Sequence, residues 1–226
     1  LMNKYKAIFF DLDETIYSEF DYRMGAFRNT ALWLQKNENI DFESVMKSII
    51  DIIDSKGSLY RNIFQDIVNL YNLDSKMINQ LIDVFRSYTP VIQPYPDFCE
   101  FIKKASDSYH LGIITEGIGY VQRKKIEALK LKSWIEDKAI IISDEFNPPT
   151  KKDNISLFIF ASSIFNLPGK ECIYIGDNPE KDFEQPYKLG WFTVRIHRGV
   201  YKEERGNNFI NYDIDLYNNL SELLCL

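Results

Sequence analysis

Residues 6–15, KAIFFDLDET, set an apolar run against a pair of carboxylates. Ala7-Ile8-Phe9-Phe10 stops at Asp11, and Asp13 follows two positions later. Carboxylates crowded at the exit of a buried segment are costly unless a cation or hydrogen bonds compensate them. Three later stretches carry groups of the complementary kind. Thr115-Glu116-Gly117 follows the apolar LGII, Lys151 and Lys152 stand side by side, and Asp177 closes ECIYIGD with Asp182 five residues further on. Carboxylates suit Mg2+, which favours oxygen ligands and keeps several waters. A threonine hydroxyl beside free backbone N–H groups suits phosphate, and an ammonium suits the remaining negative charge. As a set these groups predict a magnesium-dependent phosphoryl site.

The elements that must position them follow from the hydrophobic period. Residues 6–12 read as a short buried strand. From 21 to 36, and then through Phe42–Ile53, Tyr60–Tyr71 and Met77–Phe85, apolar residues recur at helical spacing. NENID, SKG and NLDS break these segments, and the prolines of TPVIQPYP end the run. Beyond it the pattern alternates. Helices are predicted near 98–105, 120–130, 153–165 and 179–189, with strands at 111–115, 139–143, 171–177 and 191–196. Strands alternating with helices of this length predict right-handed βαβ units around a parallel sheet. The expected fold is a doubly wound, Rossmann-like α/β core (1–16 and 94–226) with an all-helical insert (17–93) after its first strand. Such sheets bind ligands at the carboxyl ends of their strands, where all four chemical stretches fall.

With the motifs in that order, DLDET, IITEG, the lysine before DNISLFIFA, and YIGDNPEKD, the sequence resembles the haloacid dehalogenase superfamily. The resemblance is to its phosphatase branch with a helical cap after the first core strand, and it covers nearly the whole chain. It implies that Asp11 is the nucleophile, forming an aspartyl-phosphate, and that Asp13 is the general acid and base. It further implies that Thr115 and the amides of Glu116 and Gly117 hold phosphate oxygens. Mg2+ is expected on Asp11, the backbone carbonyl of Asp13 and Asp177, with Asp182 nearby or through water, while Thr15 orders the loop. The family usually has Lys-Pro at its third motif, where this chain has TKKDN. The register favours Lys152, and the lengthened FNPPTKK loop leaves Lys151 open. In the helical insert Arg23, with Tyr17, Phe20 and Tyr22, follows the catalytic loop closely enough to face substrate.

Competing readings are weaker. DLDET lacks the glycine and the distant glutamate of an EF-hand loop. EGIGYVQ lacks the third glycine of a dinucleotide fingerprint, Gln122 standing in its place. RKKIEALK reads as a solvated helix face, and Trp33, Trp134 and Trp191 as core. A net charge of −6 without a dense basic block argues against nucleic acid as a partner. Cys99, Cys172 and Cys225 never approach metal or disulfide spacing, which points to a reducing cytoplasm. No apolar run is long enough to cross a bilayer, and LMNKYK lacks a signal-peptide pattern. The expected activity is therefore that of a cytoplasmic phosphatase on a small phosphorylated metabolite: a sugar phosphate, a nucleotide or a phospho-acid. A phosphomutase or a non-catalytic phosphate-binding module is the alternative.

Overall fold

Five of the apolar runs and one short polar segment become strands in the computed structural model, which describes residues 4–224. These are β1 (Ala7–Phe10), β2 (His110–Thr115), β3 (Ile140–Ile142), β4 (Cys172–Gly176), β5 (Phe192–Ile196) and β6 (Tyr212–Ile214). They form one sheet in the order β3-β2-β1-β4-β5-β6, every neighbouring pair parallel. Parallel strands are covered on both faces and so read as continuous apolar runs; every residue of β1, β3 and β4 is buried. β6 lies at the sheet edge with two of its three residues exposed, which is why no apolar run announces it.

The strand order reverses at β1. The chain moves outward on one side through β2 and β3, then returns to add β4, β5 and β6 on the other. The loops after β1 and β4 therefore leave the sheet side by side, at the switch point where doubly wound folds open a crevice. Aromatic packing fixes this centre. The Phe9 ring lies 5.1 Å from Trp191, and Phe10 packs edge-on to Phe98 at 5.4 Å.

The covering helices in this unit are α5 (Pro96–Ala105), α6 (Gly119–Ala128), α7 (Ile155–Ile164), α8 (Glu184–Lys188) and α9 (Tyr217–Leu224). α5 opens with proline at its first position, where the missing N–H is no loss. α8 is much shorter than the expected helix at 179–189. Asp182 accepts from the Asn178 backbone N–H at 2.9 Å, which makes the preceding residues a turn and places Asp182 ahead of the helix. Trp134 is 40% exposed rather than core, while Trp191 is buried. Cys99 and Cys172 are free thiols, and Cys225 lies outside the described residues. No helix among the described residues is long and apolar enough to cross a membrane.

The chain divides into two compact units. One runs to Glu19 and resumes at Ile92; the other is Phe20–Val91. Tyr17 belongs with the sheet, because it forms isolated bridges with Asp13 and Pro94. The helical unit contains most of α1 (Glu19–Glu38) and all of α2 (Phe42–Lys56), α3 (Ile63–Leu70) and α4 (Met77–Ser87). Its core gathers Phe27, Leu34, Val45, Ile49, Ile67 and Leu81. Asp41 starts α2 by accepting the Ser44 N–H at 2.9 Å, an N-cap worth about 1 kcal/mol.

Candidate active site

Asp11 is the first residue past β1, held by its backbone N–H to the Ile175 carbonyl of β4 at 2.8 Å. This bond places the start of the DLDET loop against the end of the neighbouring strand, where Asp177 follows β4 by one residue. Asp11, Asp177 and Asp182 each bring a carboxylate oxygen within 4.8 Å of the others, and all three are buried. Gly176 makes this approach possible. A Cβ there would lie 2.4 Å from Asp182 Oδ2.

Lys152, not Lys151, reaches this cluster. Its Nζ lies 2.5 Å from Asp11 Oδ1 and 2.8 Å from Asp182 Oδ1, with only 5% of the side chain exposed. The Glu116 carboxylate fixes the turn that delivers it, accepting the Lys152 backbone N–H at 3.0 Å. Lys151 is exposed and lines a cavity of about 230 Å³ together with Glu116, Asp153 and Lys181. Burial alone would discharge Lys152, yet Asp11 and Asp182 outweigh it and hold the ammonium above its usual pKa. For Asp11 burial dominates. It is pushed up to about 7, with Asp182 and Asp13 adding to burial against the attraction of Lys152. Burial also raises Asp177 well above the usual carboxylate range, and its neighbours Asp182 and Asp11 push it further. Fully ionised, as they would be around a cation, three buried carboxylates against one ammonium leave an excess of two negative charges. An all-oxygen donor set with that excess fits a hard divalent cation.

Asp13 faces a different set of groups. Its Oδ1 accepts from Lys125 Nζ at 2.7 Å and from the Tyr17 hydroxyl, and its Oδ2 accepts from Gln122 Nε2 at 2.9 Å. Burial acts to raise its pKa, but the charge and hydrogen bond of Lys125, then Tyr17 and Gln122, outweigh it and leave it lowered. Gln122 Nε2 also donates to Thr115 Oγ1 at 2.7 Å, tying Asp13 to the residue that ends β2. Gly117, with φ +153°, lets the loop lie against Gln122; a Cβ there would stand 3.0 Å from its Cδ. Thr15 holds the loop through its backbone: its carbonyl accepts from Arg198 at 3.3 Å and from the Tyr217 hydroxyl at 3.2 Å. Glu14 takes φ +56°, and its carboxylate accepts from the Tyr95 hydroxyl at 3.1 Å.

The sheet unit thus gathers Asp11, Asp13, Thr115, Glu116, Gly117, Lys152, Asp177 and Asp182 at adjacent strand ends. Arg23 lies in the helical unit, donating to the Ser58 carbonyl with its guanidinium 5.8 Å from the Phe27 ring. Sequence reasoning missed Lys125, which it left on a solvated face; the side chain is only 4% exposed. The signal was available. Lys125 falls on the stripe formed by Val121, Ile126 and Leu129, all buried.

Residues 8–196 match the family model described as haloacid dehalogenase-like hydrolase. The chain belongs to this family. Among similar proteins is the glyceraldehyde 3-phosphate phosphatase of Methanocaldococcus jannaschii, 31% identical over 97% of this chain and 95% of that one. The protein of the same description from Methanopyrus kandleri is 24% identical, over 90% and 88%. The magnesium-bound HAD-hydrolase YfnB from Bacillus subtilis has the same fold, with a TM-score of 0.68, 18% identity and coverage of 99% and 100%. The chain is accordingly a haloacid dehalogenase-like hydrolase that groups with the phosphomonoester-cleaving members.

Proposed function

We propose that this hydrolase is a Mg2+-dependent phosphatase acting on a small sugar phosphate, with glyceraldehyde 3-phosphate the first candidate. The observation that carries the reading is the placement of Asp11 in the buried cluster with Lys152, Asp177 and Asp182, with Asp13 in the same loop bound by separate donors. The names and coverage of the two archaeal relatives support the substrate class.

Asp11 would attack phosphorus, forming the Oδ–P bond as the bond from phosphorus to the leaving-group oxygen breaks. Asp13, entering this step protonated, would give that oxygen its proton and be left as the carboxylate that its donors favour. In the second half-reaction water attacks the aspartyl-phosphate, Asp13 takes the water's proton, and the Oδ–P bond breaks to regenerate Asp11 and release phosphate. Lys152 would neutralise charge between Asp11 and the phosphoryl oxygens, while Thr115 and the amides of Glu116 and Gly117 would hold those oxygens. Asp11, Asp177, the Asp13 carbonyl and Asp182, directly or through water, would hold Mg2+, which when bound supplies further electrostatic stabilisation to the phosphoryl group.

The test is phosphate release from a panel of sugar phosphates, nucleotides and phospho-acids, with Mg2+ and with EDTA. Turnover should require the cation, be fastest with a three-carbon sugar phosphate, and fall roughly 10⁴-fold in Asp11→Asn. Equal activity in EDTA, or an active Asp11→Asn protein, would overturn the mechanism. A nucleotide as the best substrate would overturn the sugar-phosphate assignment, and activity only with a bisphosphate activator would indicate a phosphomutase.

A further inference from the structure

We propose that Lys125 is a positioning residue for Asp13, acting together with Gln122 and Tyr17 to hold the acid/base carboxylate at a fixed orientation beside the phosphate-binding Thr115. The proposal rests on the reading of Asp13 as the general acid and base.

A buried lysine is retained only when its charge is compensated, and Lys125 is 4% exposed with Asp13 Oδ1 2.7 Å away. Its neighbours in sequence behave differently. Arg123 pairs on the surface with Glu145 and Asp137, as a solvated helix face would. The distinction is helical phase. Gln122 and Lys125 stand three residues apart on one face of α6, and both side chains end on the Asp13 carboxylate.

Three donors from two elements then constrain one side chain. Lys125 and the Tyr17 hydroxyl converge on Oδ1, and Gln122 holds Oδ2. A carboxylate gripped at both oxygens cannot rotate about its last torsion without breaking a hydrogen bond. The same Gln122 amide reaches Thr115 Oγ1 at 2.7 Å, so Asp13 and Thr115 share a support. The two buried lysines divide the work: Lys152 serves Asp11 and Asp182, while Lys125 serves Asp13. Supporting contacts of this kind are worth about 10–100-fold in comparable sites, and displacing a reacting group by about 1 Å costs on the order of 10²-fold.

The experiment compares Lys125→Met, Lys125→Arg and Tyr17→Phe with the unaltered enzyme and with Asp13→Asn, on glyceraldehyde 3-phosphate and on 4-nitrophenyl phosphate. Lys125→Met should lower kcat on the sugar phosphate about 30–100-fold with KM changed less than about threefold, and Lys125→Arg should recover most of the loss. A nitrophenolate leaving group needs little protonation. The burst that reports attack by Asp11 should therefore survive in Lys125→Met while steady turnover, which needs Asp13 to activate water, slows. Combining Lys125→Met with Asp13→Asn should add little to the loss from Asp13→Asn alone. A residue that merely supports the fold would lower burst amplitude along with rate, raise KM, and not respond to arginine.

If Lys125→Met does not fold, Tyr17→Phe carries the test. It removes one donor to the same oxygen and should slow turnover roughly 3–10-fold with the burst retained. Unchanged kcat in Lys125→Met, or in Tyr17→Phe where that variant must serve, overturns the positioning role. Full activity in Asp13→Asn instead overturns the reading of Asp13 itself, so the two failures are distinguishable.

Discussion

Lys152→Met isolates the charge balance at the centre of the site. Methionine keeps much of the side chain's length and apolar volume while removing the ammonium. That group is 5% exposed and lies 2.5 Å from Asp11 and 2.8 Å from Asp182, so its loss leaves two buried carboxylates without their shared cation. Breaking a buried ion pair by removing one partner costs about 3–5 kcal/mol. For a chain of this size each kcal/mol moves Tm by about 2–4 °C, giving a fall of roughly 6–20 °C. The sign of the pH dependence follows from Asp11, which sits at about 7 when folded against an unfolded value of about 3.9. The native state therefore holds the extra proton, and stability declines as pH rises from about 4 to about 7. Without Lys152 the carboxyl titrates higher still, so the variant goes on losing stability above pH 7 and the gap between the two proteins widens with pH. At pH 5.5 Asp11 is largely protonated in both proteins, so the part of the penalty that comes from its missing counter-charge shrinks there. The assay is thermal and urea unfolding in EDTA at pH 5.5, 7 and 8, repeated with 10 mM Mg2+, which should stabilise the variant more than the parent. A gap below about 1 kcal/mol at pH 8, or one that widens on acidification, would refute the reasoning.

Two further outcomes follow from neighbouring contacts. Gly176→Ala places a Cβ 2.4 Å from Asp182 Oδ2; it should displace Asp182 and weaken Mg2+ binding about 10-fold or more, and calorimetric affinity equal to the parent's would refute the crowding argument. Asp97 accepts from Arg198 and from the Tyr217 N–H at 2.9 Å, and these outweigh burial to lower its pKa. Its contribution is present above the unfolded carboxyl pKa and lost as pH falls through the folded one. The Tm gap between the parent and Asp97→Asn should thus be largest above pH 5 and shrink as the pH falls below the unfolded carboxyl pKa of about 3.9; a gap independent of pH would show that the charge is not what stabilises the contact.

The parts of this molecule that were legible in sequence are those where burial and chemistry change abruptly along the chain. Ala7–Phe10 into Asp11, and Cys172–Gly176 into Asp177, are such edges, because a strand covered on both faces must be apolar and its exit need not be. The lysine was legible as a type but not as a number: Lys151 and Lys152 are identical neighbours, and the Glu116 contact that turns Lys152 inward is 36 residues away in sequence. β6 was not legible, since an edge strand of three residues with one buried side chain carries no usable period. Lys125 was hidden by its company. RKKIEALK is basic enough to read as a solvated face, and only its phase relative to Val121, Ile126 and Leu129 sets one lysine apart.

That lysine changes how the site must be understood. When ionised, Asp11, Asp13, Asp177 and Asp182 bring four negative charges to the switch point, and Lys152 and Lys125 return two. The remaining two equal the charge of one divalent cation, before Glu14 is counted. The lysines are not interchangeable in position, because each is buried against a different aspartate of the same loop. A cation that neutralises the Asp11 cluster therefore leaves the Asp13 network with its own compensation already in place. In the mechanism proposed above, the loop would then carry a nucleophile and a proton-transferring group two residues apart without either taking the other's counter-charge, which is the condition for the two carboxylates to do different chemistry.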